Sequence, residues 1–337
     1  MKKKPNLLEV AREANVSPAT VSRVFNNNPR VDKELKKRVL EAAKRIGYKT
    51  NIYAKALIEG KTNFIGMVLT RFEIRHYSSI ISGIETAVNK AGYRFFVTSS
   101  RYSKEKEIEK ISLLNDMNFA GIIIISVGLS DKEIFEITKK SAPLLVFDRS
   151  VEKYEENCVY FNYYEYQKRI TNLLIKNGHK KIVHISGPIN LQVYRGKKQG
   201  YSDALKENGL EKYENIYFSD GATNEAGYYA VKDFFKKGAF TAIDCQNDQL
   251  AFGAMCALKE MGLRIPDDIS VTGFGDVPEA EYSTPRLTTV NFDHYTIGKY
   301  VGRKMISMIR KEKFDECVPS FKIIERNSIK NICGGVI

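Results

Sequence analysis

Few side chains in this 337-residue chain stand at spacings that support catalysis. Gly273-Phe274-Gly275-Asp276-Val277-Pro278 places two glycines after an apolar run, in the manner of a nucleotide loop. It lacks a third glycine and leads into proline. There is no serine-centred nucleophile elbow and no phosphate-binding loop. Cys158, Cys245, Cys256, Cys317 and Cys333 stand singly, without CxxC, disulfide or zinc spacing. His76, His179, His184 and His294 form no metal pattern with the cysteines or carboxylates. His184 lies in an apolar run and reads as a core residue. His179 follows Gly178 at a helix end and reads as structural. The expectation is no enzyme, no metal and no cofactor.

What the residues do offer is a hold on a polyanion. The formal net charge is +13. Residues 1–61 carry 15 Lys and Arg against 6 Asp and Glu; the other 276 carry 38 against 34. A basic head on a nearly neutral body points to a nucleic-acid partner at the head. The competing reading is a solubilising lysine-rich tail. An apolar fraction of 43% and a charged fraction of 28% exclude low-complexity disorder. No run approaches the roughly 18 apolar residues of a membrane span. Met1-Lys2-Lys3-Lys4-Pro5 resembles the start of a signal peptide, but Glu9, Arg12 and Glu13 interrupt the apolar region that should follow. A cytoplasmic protein is expected.

Short helices must position the head. Asn6, with Glu9 three residues on, forms a capping box. Leu7, Leu8, Val10, Ala11 and Ala14 supply the apolar face of the first helix, which Asn15 ends. Ser17 before Pro18 is an N-cap followed by proline at the first helical position. The second helix runs from Ala19 to about Asn26. Asp32 caps a third, with Leu35, Val39, Ala42, Ala43 and Ile46 on one side and Gly47 as its stop. Two short helices joined near Asn15-Val16 make a helix-turn-helix, whose second helix lies in a major groove. A plain three-helix bundle is the alternative. The sharp helix start, the small Ala19 and the excess charge favour DNA.

Residues 49–61 form a connector, with a short helix from Ile52 to Glu59 too weakly apolar to stand alone. From Phe64 the pattern alternates. Strand-like runs are Phe64–Leu69, Arg94–Thr98, Gly121–Ile125, Leu144–Phe147, Lys181–Ile185, Ala242–Cys245 and Ile269–Gly273. Amphipathic stretches lie between them, including Ser79–Ala91, Glu105–Met117, Glu165–Asn177, Lys197–Asn208, Asn224–Lys237 and Asp248–Met261. Gly92, Gly178, Gly209, Gly238 and Gly262 follow these stretches at left-handed stop positions. Such alternation predicts parallel sheets covered on both faces, in two units with a ligand cleft at their strand ends.

These features together resemble the LacI/GalR transcriptional regulators. The head from Leu8 to Asn26, with Val16-Ser17-Pro18-Ala19-Thr20-Val21-Ser22-Arg23-Val24 at its centre, is similar to theirs. So are Ala42 through Gly47-Tyr48, then Asn51 and Ala54 to Leu57. In the body the matching segments are Gly178-His179-Lys180-Lys181-Ile182, Asn247-Asp248-Gln249-Leu250-Ala251, Leu263 to Ser270, and Pro285-Arg286-Leu287-Thr288-Thr289-Val290. The resemblance implies an all-α helix-turn-helix head (1–48), a hinge helix or linker (49–61) and an α/β periplasmic-binding-protein-like (type I) body of two doubly wound subdomains (62–337). The N-subdomain would span about 62–161 and 291–320, the C-subdomain about 162–290 and 321–337. It further implies a homodimer on double-stranded, near-palindromic operator DNA, repression as the commoner outcome, a small sugar-like effector and no membrane. The chain lacks an extended leucine heptad at its C-terminus, so a dimer rather than a tetramer is expected.

By the same resemblance Ser17, Pro18, Ala19, Thr20, Ser22, Arg23, Asn27, Asn51, Ala54 and Leu57 contact DNA. Ala19 suits a thymine methyl and Arg23 suits guanine O6/N7. Thr20, Ser22 and Asn27 suit phosphates. Leu57 is the hinge leucine that wedges into the minor groove. Effector contacts fall at His76, Tyr77, Ser99, Asp148, Phe161, Arg195, Lys197, Asn247 and Asp276, with Ala222 and Gly275 nearby. Two positions depart from the family. Lys197 stands where an arginine is usual, a point charge in place of a planar fork. Gly275 stands where a ligand aspartate is usual, leaving Asp276 as its substitute. A phosphorylated or acidic sugar drawn to Lys197 or Arg195 is therefore expected, or a cleft indifferent to free sugars. A protein corepressor, as in the catabolite-control branch, is the alternative regulator.

Overall fold

A computed structural model describes residues 5–25, 30–48, 62–72, 76–126, 128–187 and 192–333. The chain divides into two compact units, Met1–Thr62 and Asn63–Ile337.

In the head, α1 (Leu7–Glu13), α2 (Pro18–Phe25) and α3 (Lys33–Arg45) enclose Val10, Ala11, Ala14, Val21, Val24, Val39, Ala42 and Ala43. The local signals act as read. Asn6 Oδ1 accepts from the Glu9 N–H at 3.0 Å, and Glu9 Oε2 accepts from the Asn6 N–H at 2.9 Å. Ser17 Oγ accepts from the Thr20 N–H at 3.1 Å. Asp32 caps α3 through the N–H groups of Glu34 and Leu35. Asn15 takes φ +50° at the turn between α1 and α2, a conformation asparagine tolerates. Leu8 departs from expectation: it is 55% exposed, because Leu7 and Val10 already fill the inward face.

The body holds two parallel sheets. The first, in order β2-β1-β3-β4-β5, comprises β1 (Phe64–Leu69), β2 (Arg94–Ser99), β3 (Gly121–Ile124), β4 (Leu144–Phe147) and β5 (Cys158–Val159). Its crossovers are α4 (His76–Lys90), α5 (Lys104–Asp116) and α6 (Asp131–Thr138). After α7 (Tyr163–Lys176) comes the second sheet, in order β7-β6-β8-β9. It comprises β6 (Ile182–Ser186), β7 (Asn215–Phe218), β8 (Ala242–Cys245) and β9 (Ser270–Thr272), with α8 (Gln192–Glu207), α9 (Asn224–Phe234) and α10 (Asp248–Glu260) between them. The central strands are buried throughout, as a sheet covered on both faces requires.

A short α11 (Glu279–Tyr282) precedes β10 (Thr289–Asn291), which pairs antiparallel with β11 (Lys322–Ile324). Between those strands α12 (His294–Arg310) packs on α4 so closely that only glycine fits. A Cβ on Gly83 would lie 2.2 Å from the Tyr295 carbonyl oxygen, and one on Gly298 would lie 2.1 Å from that of Ile80. The C-terminal segment then returns to the second sheet, where Ser328 Oγ donates to the Val271 carbonyl at 2.6 Å. Thus α4 and α12, remote in sequence, share one side of the first sheet.

Several elements lay outside the sequence reading: β5, β7, β10, β11, α6, α11 and α12. The strands are two to four residues long, and β7 is a half-exposed edge. Gly238 is also corrected. It follows a 3₁₀ turn with φ 159° and ψ 170°, not the left-handed helix stop. No helix among the described residues is long and apolar enough to cross a membrane.

Candidate functional site

Two surfaces collect the predicted site residues. On the head, Val21 and Val24 point inward at 0% and 1% exposure. This leaves Pro18, Ala19 and Arg23 exposed and Ser22 half-exposed on the other side of α2. Pairs 18/22 and 19/23 are four residues apart, so the four share one face. Arg23 sits in the last turn of α2. Ser17 Oγ and Thr20 Oγ1 lie 2.9 Å apart, so both hydroxyls are already engaged in the helix cap. Beside this face a recess of 520 Å³ is lined by Leu8, Ala11, Arg12, Asn15, Val16, Ser17 and Pro18. Asn27, Asn51, Ala54 and Leu57 lie outside the described residues.

In the body, Lys197 is the hub. It projects from α8 and is only 6% exposed. Its Nζ donates to the Gln246 carbonyl oxygen at 3.0 Å. The Phe274 ring centroid lies 3.6 Å from Nζ and that of Tyr163 lies 5.2 Å away. Burial pulls the lysine pKa down to about 7, against the opposing pull of Asp148, Asp248 and Asp244. Asp148 follows β4 with φ +70° and accepts a hydrogen bond from the Tyr163 hydroxyl. Burial raises its carboxyl to about 6, while Tyr163 and Lys197 hold it back. Asp248 is likewise raised to about 6 by burial, although Thr289 Oγ1 and the Val277 N–H donate to it at 2.6 and 2.9 Å. Burial and the nearby Lys197 lower His294 to about 4.

Tyrosines wall this cluster. Tyr77 is buried and lies 3.4 Å from the Thr70 hydroxyl, which donates to it. Burial raises the phenols of Tyr77, Tyr163 and Tyr194, and Asp148 raises each further. Behind them Phe292 packs 5.4 Å from Tyr163 and 3.6 Å from Phe321, which places an aromatic stack where the chain crosses between the sheets.

The structure brings together Tyr77, Asp148 and Lys197 of the predicted set. Phe161 is close by but buried, 5.1 Å from Phe321, as part of the stack rather than an open wall. Asn247 spends its side chain on structure: Oδ1 caps α10 through Leu250 and Nδ2 donates to the Ala222 carbonyl. Ser99 ends β2, half-buried. Two predicted residues stand differently from Lys197. Arg195 is exposed, because two residues along a helix turn a side chain by about 200° from Lys197. Asp276 is held by Arg326 at 2.8 Å and by Asn291 Nδ2 at 2.6 Å, so its carboxylate is already paired. Gly275, at φ +138°, leaves a Cβ only 3.3 Å from Asp248, a place where a second carboxylate would meet the first. The side chain of His76 lies outside the described residues. The sequence reading missed Tyr163, Tyr194 and Gln246. Only Tyr163 carried a signal, as the first residue of a helix just after a predicted contact. No metal-binding group of His, Cys, Asp and Glu occurs among the described residues.

Comparison with known proteins agrees with this architecture. Residues 62–331 match the model of periplasmic binding proteins and the sugar binding domain of the LacI family. Residues 6–51 match that of bacterial regulatory proteins, lacI family. The chain is 31% identical to the HTH-type transcriptional regulator RegA of Clostridium saccharobutylicum, over 96% of this chain and 98% of the relative. It is 30% identical to catabolite control protein A of Priestia megaterium, over 93% and 95%. The crystal structure of the lac repressor dimer bound to operator and the anti-inducer ONPF superimposes with a TM-score of 0.87 at 24% identity, over 97% of this chain and 100% of that one.

Proposed function

Because the chain belongs to the lacI family of bacterial regulatory proteins, DNA-binding transcriptional regulators and not enzymes, we propose that it is a cytoplasmic repressor of carbohydrate-utilisation genes. It binds a near-palindromic operator as a homodimer, each head filling one half-site. The observation that carries this reading is the exposed face of α2, with Pro18, Ala19, Ser22 and Arg23 presented from a capped helix in a strongly basic head. Arg23 reads guanine and Ala19 touches a thymine methyl. Leu57, from the hinge, opens a base step and bends the duplex. In the body a small sugar-like molecule, phosphorylated or not, engages the Asp148–Lys197 cleft. It shifts the angle between the subdomains, provided it binds one state better than the other.

The test is selection of genomic fragments by the purified protein at moderate salt. Enrichment of a short near-palindrome supports a dimeric operator reader. Enrichment only after adding cell extract favours a protein corepressor. No enrichment in either arm refutes the reading.

A further inference from the structure

We propose that the outer face of α3 is a second DNA surface: its lysines hold the phosphates of a further stretch of duplex while α2 sits on the operator. This rests on the head binding DNA through α2, and it adds a second duplex to the partners of that unit.

Four features support it. First, the face is basic and open. Lys33, Lys37, Leu40 and Lys44 are exposed, with Lys36 half-buried beside them. At about 100° per residue they fall on one side of the helix. Together with Glu41 they line a recess of 390 Å³, and Glu41 is the single carboxylate among them. Arg45 pairs with Glu13 at 3.1 Å, whereas no ion pair among the described residues engages Lys33, Lys37 or Lys44.

Second, the face points away from α2. Val39, Ala42 and Ala43 lie on the opposite side of α3 and enter the same core as Val21 and Val24 of α2. Two helices packed on one core turn their outer faces away from each other. A duplex seated on Pro18, Ala19 and Arg23 therefore leaves the lysines of α3 uncovered.

Third, the stripe works against its own helix. Lys33 and Lys37 stand four residues apart, a like-charge pair that destabilises a helix. Lys33 also occupies the first turn, where the helix dipole favours an anion. A polyanion laid along the face relieves both. Fourth, the dimensions fit. From Lys33 to Lys44 the stripe runs about 16 Å along the helix axis. Duplex DNA carries about one charge per 1.7 Å of its own axis, so phosphates are available along the whole stripe. Lysine, a compact point charge on a flexible stem, holds phosphate without reading bases.

The experiment loads the full-length protein on a labelled fragment from the genomic selection and follows its release as an unlabelled duplex of unrelated sequence is added. With a second duplex on α3 the protein is handed over before it lets go, so the release rate climbs in proportion to the added DNA. Combining Lys33→Gln, Lys37→Gln and Lys44→Gln should cut that slope roughly 5-fold or more and lower the log–log salt dependence of transfer by up to about 3. Affinity for the fragment itself should change less than about 2-fold. Arginine at the same positions should keep the wild-type slope, which separates lost charge from lost fold. A wild-type release rate indifferent to added DNA overturns the proposal. So does a slope that survives the glutamine changes; poly-glutamate bound by the wild type alone would then identify an acidic protein as the partner. A slope lost together with fragment affinity also overturns it, because the lysines would then hold the operator duplex. Those three results leave the operator reading standing, whereas a wild type that retains no fragment overturns both.

Discussion

The head and the body cleft use similar residue types in opposite ways. On α2 the side chains proposed to meet DNA are exposed or, at Ser22, half-exposed, and their geometry depends on a cap and a turn within ten residues of them. In the cleft Lys197 is buried and Asp148 and Asp276 are half-buried, and each is held by a residue from a distant segment: Lys197 by Gln246, Asp148 by Tyr163, Asp276 by Arg326. A surface that meets DNA phosphate gains little from burying its charge. A pocket that must recognise a small molecule gains from dehydrating it, at the cost of shifted pKa values. The head is therefore a local construction, and the cleft a product of topology.

The largest expected effect would break the comparison at the head. Val21→Asp puts an unpaired carboxylate at a position with 0% exposure, a cost of several kcal/mol. Operator binding should vanish while the thermal transition of the body stays at its wild-type temperature. A shifted body transition in the calorimetric trace would mean that the units are not independent.

Next is Lys197→Met, which removes the buried charge and keeps much of the volume. The folded-state pKa of Lys197, about 7, lies below the ordinary lysine value of about 10.4. Between those values the unfolded chain binds more protons, so wild-type stability gains as pH rises through that window. The methionine variant lacks this dependence. Its advantage over the wild type should be greatest below pH 7 and shrink toward pH 10 in melts across that range. Asp148 and Asp248 act oppositely. Their raised carboxyls favour the folded state at low pH, a contribution lost as pH rises through about 6.

The smallest effect sharpens the comparison. Ser17→Ala removes the cap on the Thr20 N–H and should cost about 1 kcal/mol of head stability. Body stability should not move, and chemical denaturation followed separately for each unit would check this.

This contrast also explains what the sequence made legible. Asn6, Ser17 and Asp32 mark their helices through bonds that span two or three residues, so spacing alone reveals them. Runs such as Phe64–Leu69 and Ala242–Cys245 are buried on both faces and announce themselves by composition. β10 and β11 pair residues some thirty positions apart and are three residues each, so no local pattern marks them. In the cleft, the resemblance points to Lys197 by position. Arg195 and Asp276 were assigned by charge, and charge does not tell which way a side chain points. Tyr163 and Phe321 meet only because the chain crosses between the sheets more than once.

The most direct measurement repeats the fragment selection with Arg23→Ala beside the wild type. If α2 reads bases, the wild type enriches a near-palindrome. The variant should then lose preference at one symmetric pair of positions, with affinity down by roughly 1–3 kcal/mol per contact. An identical motif from both proteins would contradict the account.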